Sequence, residues 1–138
     1  MLLVLASAVV AKEKSVERKS LPAALQAAIG REETKGATIG RITEEKENGK
    51  TTYEVETKVS GRSRDLVFSP AGALIESEEE TAIASIPAAA RAAFERAGNV
   101  LKVERVTRGT TVTYEAEIEK GGKKSELAVD AAGKRLQP

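Results

Sequence analysis

The 138-residue chain contains no cysteine, no histidine and no tryptophan. Without cysteine there is no disulfide, no thiolate nucleophile and no thiolate metal ligand. Without histidine the chain lacks the usual general base near neutral pH and the commonest metal ligand. Most hydrolase and zinc-centre chemistry is excluded at that point. The net charge of +1 gives no basic footprint for nucleic acid, and with aromatic residues only 3% of the chain base-stacking platforms are poorly supplied. Hydrophobic residues at 41% and charged residues at 31% still describe a folded, water-compatible chain.

Long apolar runs are scarce too. One occurs, Met1-Leu2-Leu3-Val4-Leu5-Ala6-Ser7-Ala8-Val9-Val10-Ala11, followed at once by Lys12-Glu13-Lys14. It falls short of the roughly 20 residues that a helix needs to span a bilayer. Ala6-Ser7-Ala8 and Val9-Val10-Ala11 fit the small-x-small pattern of a signal-peptide cleavage site, although no Lys or Arg precedes the run. Residues 1–14 therefore read as a signal peptide and leader, and the chain as periplasmic or secreted. A first strand or the start of a buried helix is the alternative.

What is present is a pattern that recurs. Leu21-Pro22-Ala23-Ala24-Leu25 returns as Ile86-Pro87-Ala88-Ala89-Ala90, Tyr53-Glu54-Val55-Glu56 as Tyr114-Glu115-Ala116-Glu117, and the turn closed by Gly72 as the one closed by Gly133. Order and approximate spacing are kept, which is the signature of a unit of about sixty residues used twice. Each copy opens on a helix: Ser20 and Ser85 stand where they can cap, Pro22 and Pro87 suit a first turn, and Leu25, Ile29, Ala90 and Phe94 fall at helical spacing. Strands should follow. Asn48-Gly49 marks a tight hairpin. Tyr53, Val55, Thr57 and Val59 alternate with Glu54, Glu56 and Lys58, so one face is buried and one is wet. Val112, Tyr114, Ala116 and Ile118 alternate likewise with Thr113, Glu115 and Glu117. The expected fold is α+β: two tandem repeats, residues 15–80 and 81–138, each a helix followed by a four-stranded antiparallel sheet, with the helices packed on one sheet face. Ser77-Glu78-Glu79-Glu80-Thr81 would join them as a linker or the charged end of an edge strand.

These motifs, Leu21–Ala24, Tyr53–Glu56 and Ser69–Gly72 with Ile86–Ala89, Tyr114–Glu117 and Asp130–Gly133, together resemble the PepSY-like family, often described as β-lactamase-inhibitor-like. The resemblance covers almost everything after Ser20. It implies a bacterial, commonly exported protein with tandem helix-plus-strands units, in which helices back a sheet whose open concave face holds a partner.

The residues themselves offer little chemistry. Glu54, Glu56, Glu115 and Glu117, with Asp65 and Glu126 on neighbouring strands, fall on the face opposite the apolar residues, where carboxylates could hold Ca²⁺. Lys58 and Lys124 share that face, and the wet side of a half-buried sheet explains the pattern without a metal. Tyr53 and Tyr114 are in register with apolar neighbours and read as core. Gly72 and Gly133 read as turn residues rather than a phosphate cradle. No catalytic residue, cofactor site or metal site is assigned. The expected partner is a protein or peptide, with no nucleic acid and no stable membrane span, bound through a strand edge or through the face carrying Glu54, Glu56, Lys58, Thr113, Glu115 and Glu117. The alternative is an acidic-face sensor of a divalent cation or small ligand.

Overall fold

A computed structural model describes residues 12–137; the Met1–Ala11 run, on which the signal-peptide reading falls, lies outside them. The described chain contains strand β1 (Lys12–Ser15), a 3-10 turn at Arg18–Ser20, helix α1 (Ala23–Thr34), strands β2 (Thr38–Glu47), β3 (Lys50–Val59), β4 (Arg62–Phe68) and β5 (Leu74–Thr81), and a second 3-10 turn at Ile83–Ser85. Helix α2 (Ala88–Ala97) and strands β6 (Asn99–Arg108), β7 (Thr111–Lys120) and β8 (Lys123–Val129) complete it.

This corrects the expectation of two tandem repeats with a four-stranded sheet each. The strands belong to one eight-stranded sheet in chain order, β1 to β8. Three strands, not four, follow α2; beyond Gly133 the described chain bonds Lys134 to Asp130 across the turn, bridges Val129 to Arg135 and donates from Leu136 N to Ala128 O, without forming a further strand. A strand precedes α1, and the acidic run Ser77–Thr81 belongs to β5. The chain still divides into two compact units, with the boundary between Ser77 and Glu78.

In the first unit Ile42, Val55 and Leu66 pair across β2, β3 and β4, and Tyr53 pairs with Phe68. Period-two alternation places these side chains on one face, where they bury with Leu21, Leu25, Ala28 and Ile29 of the helical segment. The second unit repeats the logic with Val103, Ala116 and Leu127 in cross-strand register, and Ile86, Ala90 and Phe94 from the helical side. Glu32 of α1 is buried and accepts a 2.7 Å hydrogen bond from Arg64 of β4, so its charge is paired at the margin of the first core.

The helix starts depart from expectation. Pro22 and Pro87 occupy the cap positions, and neither helix has a side-chain cap. Ser20 Oγ donates instead to Glu17 O at 2.7 Å and closes the 3-10 turn. What fixes each helix start is a turn laid against it. The turn after β4 is closed by Gly72 N to Ser69 O, and the one after β8 by Gly133 N to Asp130 O. Gly72 and Gly133 have φ of +81° and +78°. A Cβ at Gly72 would lie 2.6 Å from Ala24 O, and one at Gly133 2.5 Å from Ala89 O. Glycine is required twice over, by conformation and by space.

Replacing Gly133 with Ala should therefore destabilise the protein by more than the roughly 1 kcal/mol typical of an ordinary substitution, because Ala89 O is backbone and has nowhere to retreat. Phe94→Ala should cost about 3–5 kcal/mol, as for large truncations in close-packed cores. Urea denaturation of each variant checks both. A loss under 1 kcal/mol for Phe94→Ala would contradict its full burial.

Candidate functional site: the strand faces opposite the helices

Glu54, Glu56 and Lys58 lie on the face of β3 opposite α1; Thr113, Glu115 and Glu117 lie on the face of β7 opposite α2. Each trio shares a strand face by alternation, and the two trios belong to different units. The glutamates and Thr113 are half-buried, and Lys58 is exposed.

Pairing brings further groups to the first trio. Glu13 of β1 stands opposite Glu45 of β2, Glu45 opposite Thr52, Thr43 opposite Glu54, and Glu56 opposite Asp65. Glu13, Glu45, Glu47, Glu54, Glu56 and Asp65 thus share one face. Arg41 answers them by donating to Glu56 Oε1 at 2.8 Å. Its position comes from a β-bulge between Ile39 and Ile42, which turns Arg41 toward Glu56. Gly40 permits the bulge, since a Cβ there would press on Glu56 O at 3.3 Å.

Glu45 of β2 and Glu54 of β3 lie diagonally across from each other on this face, so each carboxyl meets the other's like charge. Burial, reinforced by the charges of Glu54, Glu13 and Glu47, pushes the Glu45 carboxyl up to about 7. Burial also raises Glu54, with Asp65 and Glu56 adding like charge. A carboxyl whose pKa is raised to about 7 makes a poor Ca²⁺ ligand, because that hard ion wants its carboxylates ionised. Among the described residues no group of three or more acidic side chains is arranged to hold a metal ion.

On the second trio Glu104 of β6 stands opposite Glu115, and Lys102 and Glu126 flank Glu117. Lys124 Nζ lies 3.3 Å from Glu117, and Lys102 pairs with Glu104. Here acid and base are interleaved. Val67 and Val106 sit on these same strand faces, by their pairing with Glu54 and Thr113, and both are buried. Tyr53 and Tyr114 face the cores; Tyr53 Oη donates to Glu44 Oε2 at 3.3 Å.

Sequence reasoning missed Glu45, Glu13 and Glu104. The hairpin at Asn48-Gly49 carried the signal for Glu45: a two-residue turn puts Glu47 opposite Lys50, and stepping back puts Glu45 opposite Thr52, diagonal to Glu54.

No protein-family model matches the chain, and no curated protein sequence does. Solved structures do share the fold. A candidate periplasmic protein from Bacteroides eggerthii DSM 20697 has 18% identity and a TM-score of 0.67 over 85% of this chain and 86% of its own. A DUF2874 family protein from Bacteroides ovatus ATCC 8483 has 13% identity and a TM-score of 0.66, covering 86% of each chain. A BLIP-like protein from Bacteroides fragilis NCTC 9343 has 22% identity and a TM-score of 0.59, covering 83% of this chain and 82% of its own. The chain has the fold of these BLIP-like and DUF2874 proteins.

The Glu45 carboxyl should titrate near pH 7, read from its side-chain carbon shift by NMR. Its folded value lies above the unfolded one, so the folded state holds the extra proton and stability falls as pH rises from about 4.5 to about 7. Glu45→Gln removes that penalty. The variant should equal the wild type at pH 4 and exceed it at pH 8; equal stability at both would show that Glu45 is not strained by its neighbours.

Proposed function

We propose that the chain is an exported, non-enzymatic binding protein of the bacterial cell envelope, akin to the PepSY-like proteins, which engages a protein or peptide through its outer strand faces or a strand edge. One observation carries the reading. In each unit the helix packs on one face of its strands, and the opposite face presents charged side chains, among them the ion pairs Arg41–Glu56 and Lys124–Glu117. Such a surface binds by complementarity of charge and shape. Its proposed residues are Glu54, Glu56 and Lys58 in the first unit and Thr113, Glu115 and Glu117 in the second. Export is supported by the signal-like Met1–Ala11 run and by the fold shared with a candidate periplasmic protein. Among the described residues no helix is long and apolar enough to cross a membrane.

The test is affinity capture from an envelope extract with the chain immobilised. A specific partner should be retained at low salt, released by salt, and lost when Glu54 and Glu56 are changed to Lys. Retention unaffected by that double change and by a matching Glu115→Lys, Glu117→Lys change would remove the outer faces from the reading.

Likeness to a BLIP-like fold does not carry inhibition of β-lactamase, because function resides in the site and not the fold. Tight interfaces of that size turn on a few aromatic or Arg anchors, and both phenylalanines and both tyrosines of this chain are buried. No inhibition of a class A β-lactamase is expected at micromolar chain in a reporter-hydrolysis assay at low salt. Submicromolar inhibition would place an anchor that the present account lacks.

A further inference from the structure

Strand β1 covers only part of its neighbour. It pairs with Thr43–Lys46 of β2, and one more bond, Val16 N to Ile42 O at 3.0 Å, ends the contact. The chain then turns away into Glu17 and the 3-10 turn at Arg18–Ser20. β2, however, begins at Thr38. Its first residues are paired to β3 on one side and to no strand among the described residues on the other. A notch is left in the edge of the sheet. A depression of about 650 Å³ lies there, floored by Thr38–Ile42 and walled by Val16, Arg18, Glu33 and Ala37. That volume is within the range of about 300–1,000 Å³ usual for ligand sites.

The two sides of the notch differ. Ile39 stands opposite Thr57 on the helix side, and Ile39 and Val16 are half-buried against the first core. Arg41 projects to the outer side; its side chain is 66% exposed, and its 2.8 Å contact with Glu56 uses one nitrogen of the five-donor guanidinium, whose other donors can meet a further acceptor. An unpaired strand edge with an aliphatic shelf on one side and a guanidinium on the other fits an extended peptide, whose side chains alternate between faces.

We infer that the notch beside Thr38–Arg41 binds an extended peptide as an added strand, seating an aliphatic side chain on Val16 and Ile39 and a carboxylate on Arg41. The inference rests on the peptide-binding reading above and assigns it a place at the margin of the acidic face, where Arg41 meets Glu56. Main-chain hydrogen bonds supply the grip, the aliphatic contact extends the core, and Arg41 selects an acidic residue at the next position.

The probe is an N-acetylated, C-amidated pentapeptide, Val-Glu-Val-Glu-Val, titrated into the ¹⁵N-labelled full chain. The amides of Val16 and of Thr38–Ile42 should shift saturably. The same peptide N-methylated at alternate backbone nitrogens should give no shift. Arg41→Glu should weaken binding about tenfold, the ratio supported by the loss of one charge-assisted hydrogen bond, and should shift the preference to the peptide with Lys in place of Glu. Three outcomes overturn the inference: no shift at millimolar peptide, equal binding by the N-methylated peptide, or shifts confined to Glu54–Lys58. The last would keep peptide binding and move it to the outer face; loss of the captured partner in the envelope experiment tests that reading separately.

Discussion

Everything in each unit depends on how the turn at the end of a strand meets the first turn of a helix. The carbonyl of Ala24 or Ala89 comes so near the turn glycine that no side chain fits between them. With the helix start pinned there, Leu25 and Ile29, or Ala90 and Phe94, can only fall on the strand face that carries the tyrosine and its apolar neighbours. The alternation along β3 and β7 then decides the rest: what is not under the helix must face away from it. Core and outer face are thus two results of one contact.

That dependence explains what was legible. The motifs read from sequence mark the pinned places, and Leu25, Ile29, Tyr53, Val55, Leu66, Phe68, Ala90, Phe94, Tyr114, Ala116, Leu127 and Val129 are all buried as their phase implies. The division into two four-stranded sheets was wrong because recurrence in sequence says nothing of how strands join. Ser77-Glu78-Glu79-Glu80-Thr81 read either as a linker or as the charged end of an edge strand. In the structure Glu76, Ser77 and Glu78 are buried within β5, a strand with no apolar alternation to announce it. The missing strand after Gly133 had only a turn glycine in its favour, and a turn does not guarantee that pairing continues beyond it.

The candidate surface was half legible. Alternation placed Glu54, Glu56, Lys58, Thr113, Glu115 and Glu117 opposite the apolar residues, but side chains from neighbouring strands depend on register. Register brings Glu45, Glu13 and Asp65 to Glu54, and Lys102 and Glu126 to Glu117. A chain of net charge +1 therefore holds one strongly acidic face and one of mixed sign. Averages over composition conceal this segregation, which is what a partner would sense at a distance.

The terminal strands have a consequence of another kind. β1 reads Lys-Glu-Lys-Ser and β8 begins Lys-Lys-Ser-Glu, and all of these side chains are exposed. Charged, short outer strands resist the edge-to-edge stacking by which sheets grow into fibres. The lysines and glutamates of β1 and β8 stand in this sheet as such gatekeepers, raising the cost of adding a further copy's strand at either edge.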